Sequence, residues 1–461
     1  MADGTDTTLR NMTAYQVYVR NHSEEGTFRA LEADLDRIAE LADIIYLLPV
    51  HPIGRRNRKG TLGSPYAISD YRAVNPELGT AEDFDSLINA IHRRGMKCVM
   101  DIVYNHTSPD SVLAREHPQW FYQKPGGGPG NRIGEWWDVI DLDYADPASG
   151  LWEYQIETLK TWAAKVDGFR CDVASLVPLE FWLRAREAAA AVNPRCFWIA
   201  ESVEPPFILE NRERGFACHS DGELFRAFDV CYDYDIFARF KRYLEGTGTL
   251  AAYAGGINAQ EYAYPDNYVK LRCLENHDQS RAAFSIPGAA ALRNWTAFNY
   301  FQKGLAMIYA GQEWRNDFRP SLFEKDVIRR PAGNVDGNGG ARDNGDGADL
   351  VPLLKALYKL KKEPLFAASR YEVMVPSERA DVLLAIHRPR RSQPGLSAMA
   401  GVFSFKGFEG PVSLETLAAP GGGGASPEIS DGVYTNLIDG SALRVEGGRI
   451  RVRGDPVIFR L

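Results

Sequence analysis

The segment "GFRCDVA" (168–174) places a cation and an anion two residues apart among apolar or small neighbours. Because side chains alternate along a β-strand, Arg170 and Asp172 should share one face of this segment, with Cys171 and Val173 on the other. Arginine and aspartate are rarely buried unless they are paired. The segment therefore predicts a buried strand that carries a charged pair on one face, and such a pair needs a chemical explanation.

Strands and helices alternate on both sides of this segment. The run "DIIYLLPV" (43–50) is a continuous apolar strand, as is typical of strands buried on both faces of a parallel sheet, and "KCVMDIVY" (97–104) predicts a third strand. The stretch 27–42 has apolar residues at helical spacing and predicts one helix. A second helix should begin at Thr80, an N-cap residue followed three positions later by Asp83.

Eight alternations of this kind, over roughly 365 residues, predict a (β/α)8 TIM barrel formed by residues 1–106 and 148–366. Residues 107–147 form a long insertion after the third strand, and insertions of this length are usually functional. Short strand-like runs between turns predict a C-terminal β-sandwich over 367–461. A doubly wound sheet is the competing topology, but no glycine-rich phosphate loop follows the first strand.

Composition narrows the class of partner. The net charge of −8 and the pI near 5.6 argue against nucleic acid or a membrane surface as a partner and leave a neutral partner such as a sugar. No apolar run is long enough to span a membrane, and the N-terminus lacks the features of a secretory signal. The six cysteines occur singly, without zinc spacing, which predicts free thiols in a reducing, cytoplasmic compartment.

Polar residues gather where the predicted barrel strands end, and this is the end at which barrel enzymes carry their active sites. They are Asp101, Asn105 and His106 on strand three, Arg170 and Asp172 on strand four, Glu201 on strand five, and Asn276, His277 and Asp278 on strand seven. Asp101 lies earlier on its strand and is interpreted as a structural carboxylate.

Converging carboxylates repel one another and must be kept in different protonation states. We expect Arg170 to lower the pKa of Asp172, and a less polar, more negative environment to raise the pKa of Glu201. A charged nucleophile beside a protonated acid is the pair that retaining glycoside cleavage needs.

Four segments resemble, in order and spacing, the signature regions of the α-amylase family (glycoside hydrolase family 13). They are "DIVYNH" (101–106), "GFRCDVA" (168–174), "IAES" (199–202) and "ENHD" (275–278). The insertion is similar to the domain B of this family and the predicted sandwich to its domain C. The resemblance therefore extends over nearly the whole chain.

This resemblance implies three catalytic carboxylates: Asp172 as nucleophile, Glu201 as general acid/base, and Asp278 as the group that stabilises the transition state. The substrate-binding residues expected beside them are Tyr66, His106, Trp136, Trp137, Arg170 and His277. Stacking on a sugar is expected of Tyr66, and the two tryptophans should shape the pocket. A core position for Tyr66 and simple loop packing for the tryptophans stay open at this point.

The sequence departs from the family after the nucleophile, where amylases often have Lys-His and this chain has Ser175 and Leu176. A calcium contact and a sugar contact are therefore in doubt. Asn105 and Asp141 match positions that can bind calcium in the family. Two candidates do not define a site, so no cofactor is expected to be required and the metal is left open.

The resemblance favours a hydrolase of short or cyclic maltooligosaccharides that releases maltose, with cyclic maltosyl-maltose as the leading substrate and the linkage, α-1,4 or α-1,6, left open. Intracellular relatives suggest a homodimer. The basic loop "HPIGRRNRKG" (51–60) resembles a loop of maltosyltransferases that use maltose 1-phosphate, so a transferase is the alternative. A non-catalytic binding barrel is the remote alternative, because it should have lost one of the three carboxylates.

Overall fold

The computed structural model describes residues 4–330, 349–390, 395–414 and 429–461. These residues divide into two compact units. The first comprises the described residues of Met1–Thr5, Ala14–Tyr232 and Arg319–Ile328, and the second those of Asp6–Thr13, Asp233–Phe318 and Arg329–Leu461. The domain boundaries given above stay a prediction.

Eight parallel strands form a closed barrel, which confirms the predicted TIM-barrel fold. They are β1 (Thr13–Val17), β2 (Ile44–Leu47), β3 (Lys97–Ile102), β6 (Gly168–Cys171), β7 (Phe197–Ala200), β8 (Val230–Tyr232), β9 (Val269–Arg272) and β10 (Leu305–Tyr309). Their order around the barrel is β1-β10-β9-β8-β7-β6-β3-β2. Two further strands, β4 (His106–Thr107) and β5 (Ile140–Asp141), pair antiparallel after β3.

The helices follow the strands along the chain. They are α1 (Val19–His22), α2 (Phe28–Ala33), α3 (Leu35–Ala39), α4 (Ala81–Arg93), α5 (Val112–Glu116), α6 (Leu151–Ala163), α7 (Leu179–Val192), α8 (Pro205–Glu213), α9 (Asp221–Leu224), α10 (Tyr234–Leu244), α11 (Leu250–Ala263), α12 (Ala282–Ser285), α13 (Ala289–Phe301), α14 (Val351–Lys361) and α15 (Leu365–Ala368).

Helix α4 begins as predicted, with a reciprocal capping box between Thr80 and Asp83. The single helix predicted over 27–42 is wrong: α2 and α3 meet at Asp34. At Asp34 the backbone has φ of −96° and ψ of −1°, and its N–H donates to the Leu31 carbonyl three residues earlier, so α2 ends there in a tightened turn. The Asp34 carboxylate accepts hydrogen bonds from Arg37 and contacts His22.

Strands β3, β6 and β7 are neighbours in the first unit, and their register aligns Asp101 with Arg170. The ladder continues one residue beyond β6 and β7. The Asp172 N–H donates to the Ile102 carbonyl at 2.9 Å, and the Glu201 N–H donates to the Cys171 carbonyl at 3.0 Å. The barrel backbone therefore fixes both candidate catalytic residues directly.

The C-terminal β-sandwich is confirmed as two antiparallel four-stranded sheets in the second unit. One contains β11 (Ser369–Met374), β12 (Val382–Pro389), β13 (Met399–Ser404) and β18 (Val457–Arg460), and the other β14 (Glu409–Ser413), β15 (Gly432–Thr435), β16 (Ala442–Glu446) and β17 (Arg449–Arg453). Side chains from both sheets, such as Leu384 and Val445, share one buried apolar core.

All six cysteines are free thiols, five of them buried. Burial raises the pKa of the Cys98 and Cys171 thiols, which makes both unreactive. Among the described helices, none combines the length and the apolar character that a membrane span requires.

Gly168→Ala should destabilise the barrel next to the candidate site, because an added Cβ would lie 2.6 Å from the Phe197 carbonyl of β7. We expect a lower midpoint of urea unfolding and a loss of about 1–3 kcal/mol. Gly222→Ala is the matched control, since nothing lies within 4 Å of its added Cβ and its φ is not positive. Equal midpoints for the two variants would contradict this account of the β6–β7 contact.

Candidate active site

One guanidinium contacts three carboxylates at the ends of β3, β6 and β7. Arg170 is fully buried, and its Nη1 lies 2.8 Å from Asp101 Oδ1 and 3.0 Å from Asp172 Oδ1. Its Nη2 lies 2.9 Å from Glu201 Oε2. Arg170 thus holds both predicted catalytic carboxylates and does not serve Asp172 alone.

Asp101 binds the Arg170 guanidinium inside the barrel, which agrees with its interpretation as a structural carboxylate. It is fully buried, and its Oδ2 accepts hydrogen bonds from Tyr46 Oη at 3.0 Å and Tyr66 Oη at 2.9 Å. Burial raises the pKa of Asp101 to about 6, against the opposing effect of the Arg170 guanidinium. The bond from Tyr66 and the 5.8 Å between its ring and the Arg170 guanidinium place Tyr66 at the site.

His106 faces Asp172 from the start of β4. Its Nε2 lies 3.8 Å from Asp172 Oδ2, and its Nδ1 lies 3.1 Å from the Asn105 amide nitrogen. Burial lowers the pKa of His106 to about 3, so the imidazole is neutral near pH 7. Because an amide nitrogen can only donate, Nδ1 is the acceptor and Nε2–H points toward Asp172.

Glu201 is held by donors, which differs from the less polar environment expected for it. Its Oε2 accepts from Arg170 Nη2 and, at 2.8 Å, from the backbone N–H of Val173. Val173 adopts a left-handed conformation with φ of 37°, which is strained for a β-branched residue. The strained turn directly after Asp172 therefore turns its N–H toward Glu201.

Asp278 and His277 follow β9 in the second unit. His277 is buried, and its Nε2 lies 3.1 Å from Asp278 Oδ2. The side-chain oxygen of Asn276 accepts from the backbone N–H groups of Asp278 and Gln279 at 2.9 and 3.1 Å. The Asp278 side chain is 45% exposed, so this carboxylate is accessible at the end of its strand.

The two tryptophans of the insertion have different environments. The Trp136 ring lies 5.4 Å from the His106 ring, which places Trp136 beside the candidate nucleophile. Trp137 is 53% exposed, and its ring lies 5.5 Å from the Lys59 ammonium. A substrate-binding role for the two tryptophans stays a prediction.

The two calcium candidates are only partly engaged by the protein. Asp141 Oδ2 accepts from the backbone N–H of Arg132 at 2.7 Å and lies 3.4 Å from Arg132 Nη1, whereas Asp141 Oδ1 is buried without a hydrogen-bond partner among the described residues. The Asn105 amide is bonded to His106. No cluster of three or more acidic, histidine or cysteine ligands occurs in the part of the chain that the structure describes. That no metal is required stays a prediction.

Sequence reasoning missed three contributors to the site: Tyr46, Val173 and Tyr232. Tyr232 is buried, with its ring 5.5 Å from the Arg170 guanidinium and its Oη 3.3 Å from Tyr46 Oη. Both tyrosines lie inside barrel strands that read as ordinary apolar runs. Tyr46 is paired with Val99, two residues before Asp101 on the same face of β3, a relation that needs the register of the folded barrel. Nothing in the sequence indicates the strained turn at Val173.

A barrel with carboxylates on neighbouring strand ends defines a class of glycosidase-type proteins, and comparison with known proteins identifies the family. The model described as "Alpha amylase, catalytic domain" matches residues 16–194, and "Bacterial Alpha amylase C-terminal domain" matches 374–459. An α-amylase from Lactobacillus plantarum is 42% identical, with 99% of this chain and 100% of that chain covered and a TM-score of 0.88. The chain belongs to the α-amylase family of glycoside hydrolases.

Two further structures are similar. A noncanonic maltogenic α-amylase, AmyB from Thermotoga neapolitana, is 29% identical over 98% of this chain and 99% of that one, with a TM-score of 0.82. A cyclic α-maltosyl-(1→6)-maltose hydrolase from Arthrobacter globiformis is 18% identical over 89% of this chain and 94% of that one, with a TM-score of 0.67. The second likeness shows the fold alone.

Other relatives match a smaller part of this chain. An α-1,4-glucan:maltose-1-phosphate maltosyltransferase from Arcanobacterium haemolyticum is 33% identical over 205 residues, which is 40% of this chain and 30% of that protein. The chain thus spans about a third of the length of such relatives.

Arg170→Met should remove the one cation that three buried carboxylates share. We expect a stability loss of about 3–5 kcal/mol near pH 7. The loss should be smaller at pH 5, because unpaired buried carboxyls have raised folded pKa values and destabilise the fold only as they ionise with rising pH. Urea unfolding at both pH values measures this.

The matched control is Arg186→Met. Arg186 forms a two-pronged pair with Asp229, at 2.7 Å for each contact, away from the site. Asp229 keeps donors from Thr5 and the Trp198 N–H in that variant, so its stability loss should be smaller. A loss for Arg170→Met that is no larger, or that grows toward low pH, would overturn the assignment.

Proposed function

We propose that the protein is a retaining α-glucoside hydrolase that cleaves short maltooligosaccharides, linear or cyclic, and releases maltose. The observation that carries this proposal is the Arg170 guanidinium, which binds Asp172 through one terminal nitrogen and Glu201 through the other. Two carboxylates held on one guanidinium lie close together, as the pair of a retaining enzyme must, at about 5–5.5 Å.

In the first step, the Asp172 carboxylate attacks the anomeric carbon while Glu201 protonates the glycosidic oxygen. The bond from carbon to leaving oxygen breaks, and a glycosyl ester of Asp172 forms. The Arg170 guanidinium lies 3.0 Å from Asp172 Oδ1 and so places a cation beside the attacking carboxylate. Asp278 is the third acid of the proposal and binds sugar hydroxyls in the transition state.

In the second step, Glu201 as a carboxylate takes a proton from water, and the water oxygen attacks the anomeric carbon. The ester bond breaks, the sugar leaves with retained configuration, and Asp172 is ionised again. The hydrogen bonds from Arg170 and the Val173 N–H to Glu201 Oε2 hold this side chain in position for the step. Neutral His106 contributes a hydrogen-bond donor to the sugar and no charge.

The proposal also assigns side chains that bind the substrate. Tyr66 and Trp136 offer aromatic surfaces beside Arg170 and His106, and an aromatic face suits the apolar face of a pyranose. His277 and Trp137 complete the proposed set. A cytoplasmic location is also part of the proposal, supported by six free cysteines. A homodimer stays a prediction.

Maltosyl transfer from maltose 1-phosphate is the second candidate, favoured by the 33% identity to maltosyltransferases over part of the chain. The basic loop argues against it. Lys59 forms an ion pair with Asp138 at 2.8 Å, and Arg58 donates to the carbonyls of Gly54 and Thr61. These two cations are therefore already engaged within the protein.

Product analysis by mass spectrometry tests the substrate class. The panel contains maltotetraose, pullulan, cyclodextrin, cyclic maltosyl-maltose, and maltose 1-phosphate with an acceptor glucan. We expect maltose as the main product, and products of cyclic maltosyl-maltose and pullulan define the linkage. Chain-lengthened glucans with little free maltose would identify the transferase instead, and an enzyme inert on the whole panel would support a non-catalytic barrel.

Asp172→Asn and Glu201→Gln should each lower kcat on maltotetraose by at least ~10³-fold, or about 4 kcal/mol of transition-state stabilisation. α-Maltosyl fluoride separates their roles, because fluoride leaves without a proton. Glu201→Gln should therefore still form the glycosyl ester and release a burst of fluoride, and it should turn over when azide, which needs no general base, replaces water as the nucleophile. Asp172→Asn should do neither. Glu213→Gln, an exposed carboxylate on α8, is the control. Near-normal turnover of maltotetraose by either site variant would refute the assigned pair.

A further inference from the structure

Asp278, the third acid of the proposed mechanism, is positioned differently from the other two. Asp172 and Glu201 come directly after barrel strands, and the backbone ladder fixes both residues. Asp278 lies in a loop well beyond Arg272, the last residue of β9, and its side chain is 45% exposed. Because even a small displacement of a catalytic group is costly in rate, this loop needs a support of its own.

A buried ion pair closes the loop at its base. Glu275 and Arg281 are both fully buried, and Arg281 Nη1 lies 2.5 Å from Glu275 Oε1. Glu275 Oε2 accepts from the backbone N–H of Ala282 at 2.6 Å. We propose that Arg281 is a positioning residue for Asp278 and acts through its ion pair with Glu275, an inference that rests on the proposed function.

The Arg281 guanidinium also connects the loop to the end of β10. Its Nη2 donates to the carbonyl of Ala310, directly after β10, at 2.9 Å, and its Nε donates to the Phe318 carbonyl at 3.1 Å. The guanidinium lies 4.2 Å from the Tyr309 ring centroid. Because a guanidinium presents its donors in fixed directions, this one side chain sets the base of the loop against both segments. A lysine would keep the charge but not the fixed set of donors.

Inside the closed loop, the Asn276 side chain fixes the backbone of Asp278. The Asn276 side-chain oxygen accepts from the N–H groups of Asp278 and Gln279. Its amide nitrogen donates to Tyr234 Oη at 2.8 Å, and Tyr234 is the buried first residue of α10. Glu275 directly precedes Asn276, so the ion pair sets where this turn begins. Loss of the pair should therefore displace Asn276 and, through it, the Asp278 backbone.

The energetics of a buried ion pair favour a positioning role over a purely stabilising one. Burial raises the pKa of Glu275, against the opposing effect of the Arg281 guanidinium. A buried pair of this kind is seldom more stabilising than apolar side chains of the same volume, because both charges lose their hydration. What the pair supplies and apolar side chains do not is a set of contacts with defined directions.

Steady-state kinetics on maltotetraose test this role. Arg281→Lys keeps a cation beside Glu275, and it should lower kcat by at least about tenfold while KM stays within about twofold, because Asp278 acts in the transition state. Glu275→Gln combined with Arg281→Met removes both charges and should show the same pattern. Lys303→Met breaks another buried pair, with Glu261 at 2.8 Å, and should lower stability without this loss of kcat. A wild-type kcat in either folded loop variant would overturn the inference.

A double-mutant cycle distinguishes positioning of Asp278 from a general structural role. In the Asp278→Asn background, Arg281→Lys should lower kcat by no more than about twofold further, since the carboxylate that Arg281 positions is already lost. A full additional tenfold loss would show that Arg281 acts through another group, and it would contradict the assignment.

Hydrogen exchange separates this inference from the proposed function. In mass spectrometry of the peptide 274–284, exchange should be at least about tenfold faster in Arg281→Lys than in the wild type, and unchanged in Lys303→Met. Unchanged exchange in Arg281→Lys refutes the positioning role while the proposed function stands. A wild type inert on maltotetraose refutes the proposed function, and the exchange rate then decides by itself whether Arg281 fixes the loop.

Discussion

The candidate site depends on the ionic contact between the buried Arg170 guanidinium and three carboxylates. Two acids, Asp172 and Glu201, would repel each other in a buried site, and a cation between them makes the arrangement possible. The guanidinium is planar and presents several donors in fixed directions, so it also sets where the carboxylates point. A lysine would supply the charge without this geometry. Asp101 completes the arrangement by holding the guanidinium from the side of the barrel interior.

The barrel supplies the positions that this contact needs. Parallel strands β3, β6 and β7 lie side by side, so residues at or just beyond their carboxyl ends come together although they are far apart in the chain. Backbone hydrogen bonds fix Asp172 and Glu201 at this edge. The strained φ of Val173 adds an N–H donor to Glu201 that a relaxed turn would not direct there. Strain at such a position is stable only because the surrounding strands determine the backbone on both sides.

Much of the fold could be predicted, because the spacing of apolar residues and the length of each apolar run distinguish barrel strands from helices. The alternation of apolar runs and amphipathic segments predicts the barrel. The spacing of Thr80 and Asp83 predicts the start of α4. The break at Asp34 could not be predicted, since the apolar residues keep helical spacing on both sides of it and no glycine or proline marks it. Arg170 and Asp172 could be placed on one face from strand alternation alone. The contact from Arg170 to Glu201 could not, because it crosses between strands.

Charge pairing in the first unit also bears on the kind of substrate. Lys59 is paired with Asp138, Arg132 with Asp141, and Arg170 with three carboxylates. A phosphate monoester would bring a charge of about −1.5 to −2 to a site already rich in carboxylates. Lys59 and Arg58 of the basic loop are engaged in internal contacts, whereas the side chains of Arg55 and Arg56 are exposed. A neutral sugar needs no cation and is recognised by aromatic faces and hydrogen-bond donors. Tyr66, Trp136 and Trp137 provide such aromatic surfaces, which agrees with the neutral glucan that we propose as substrate.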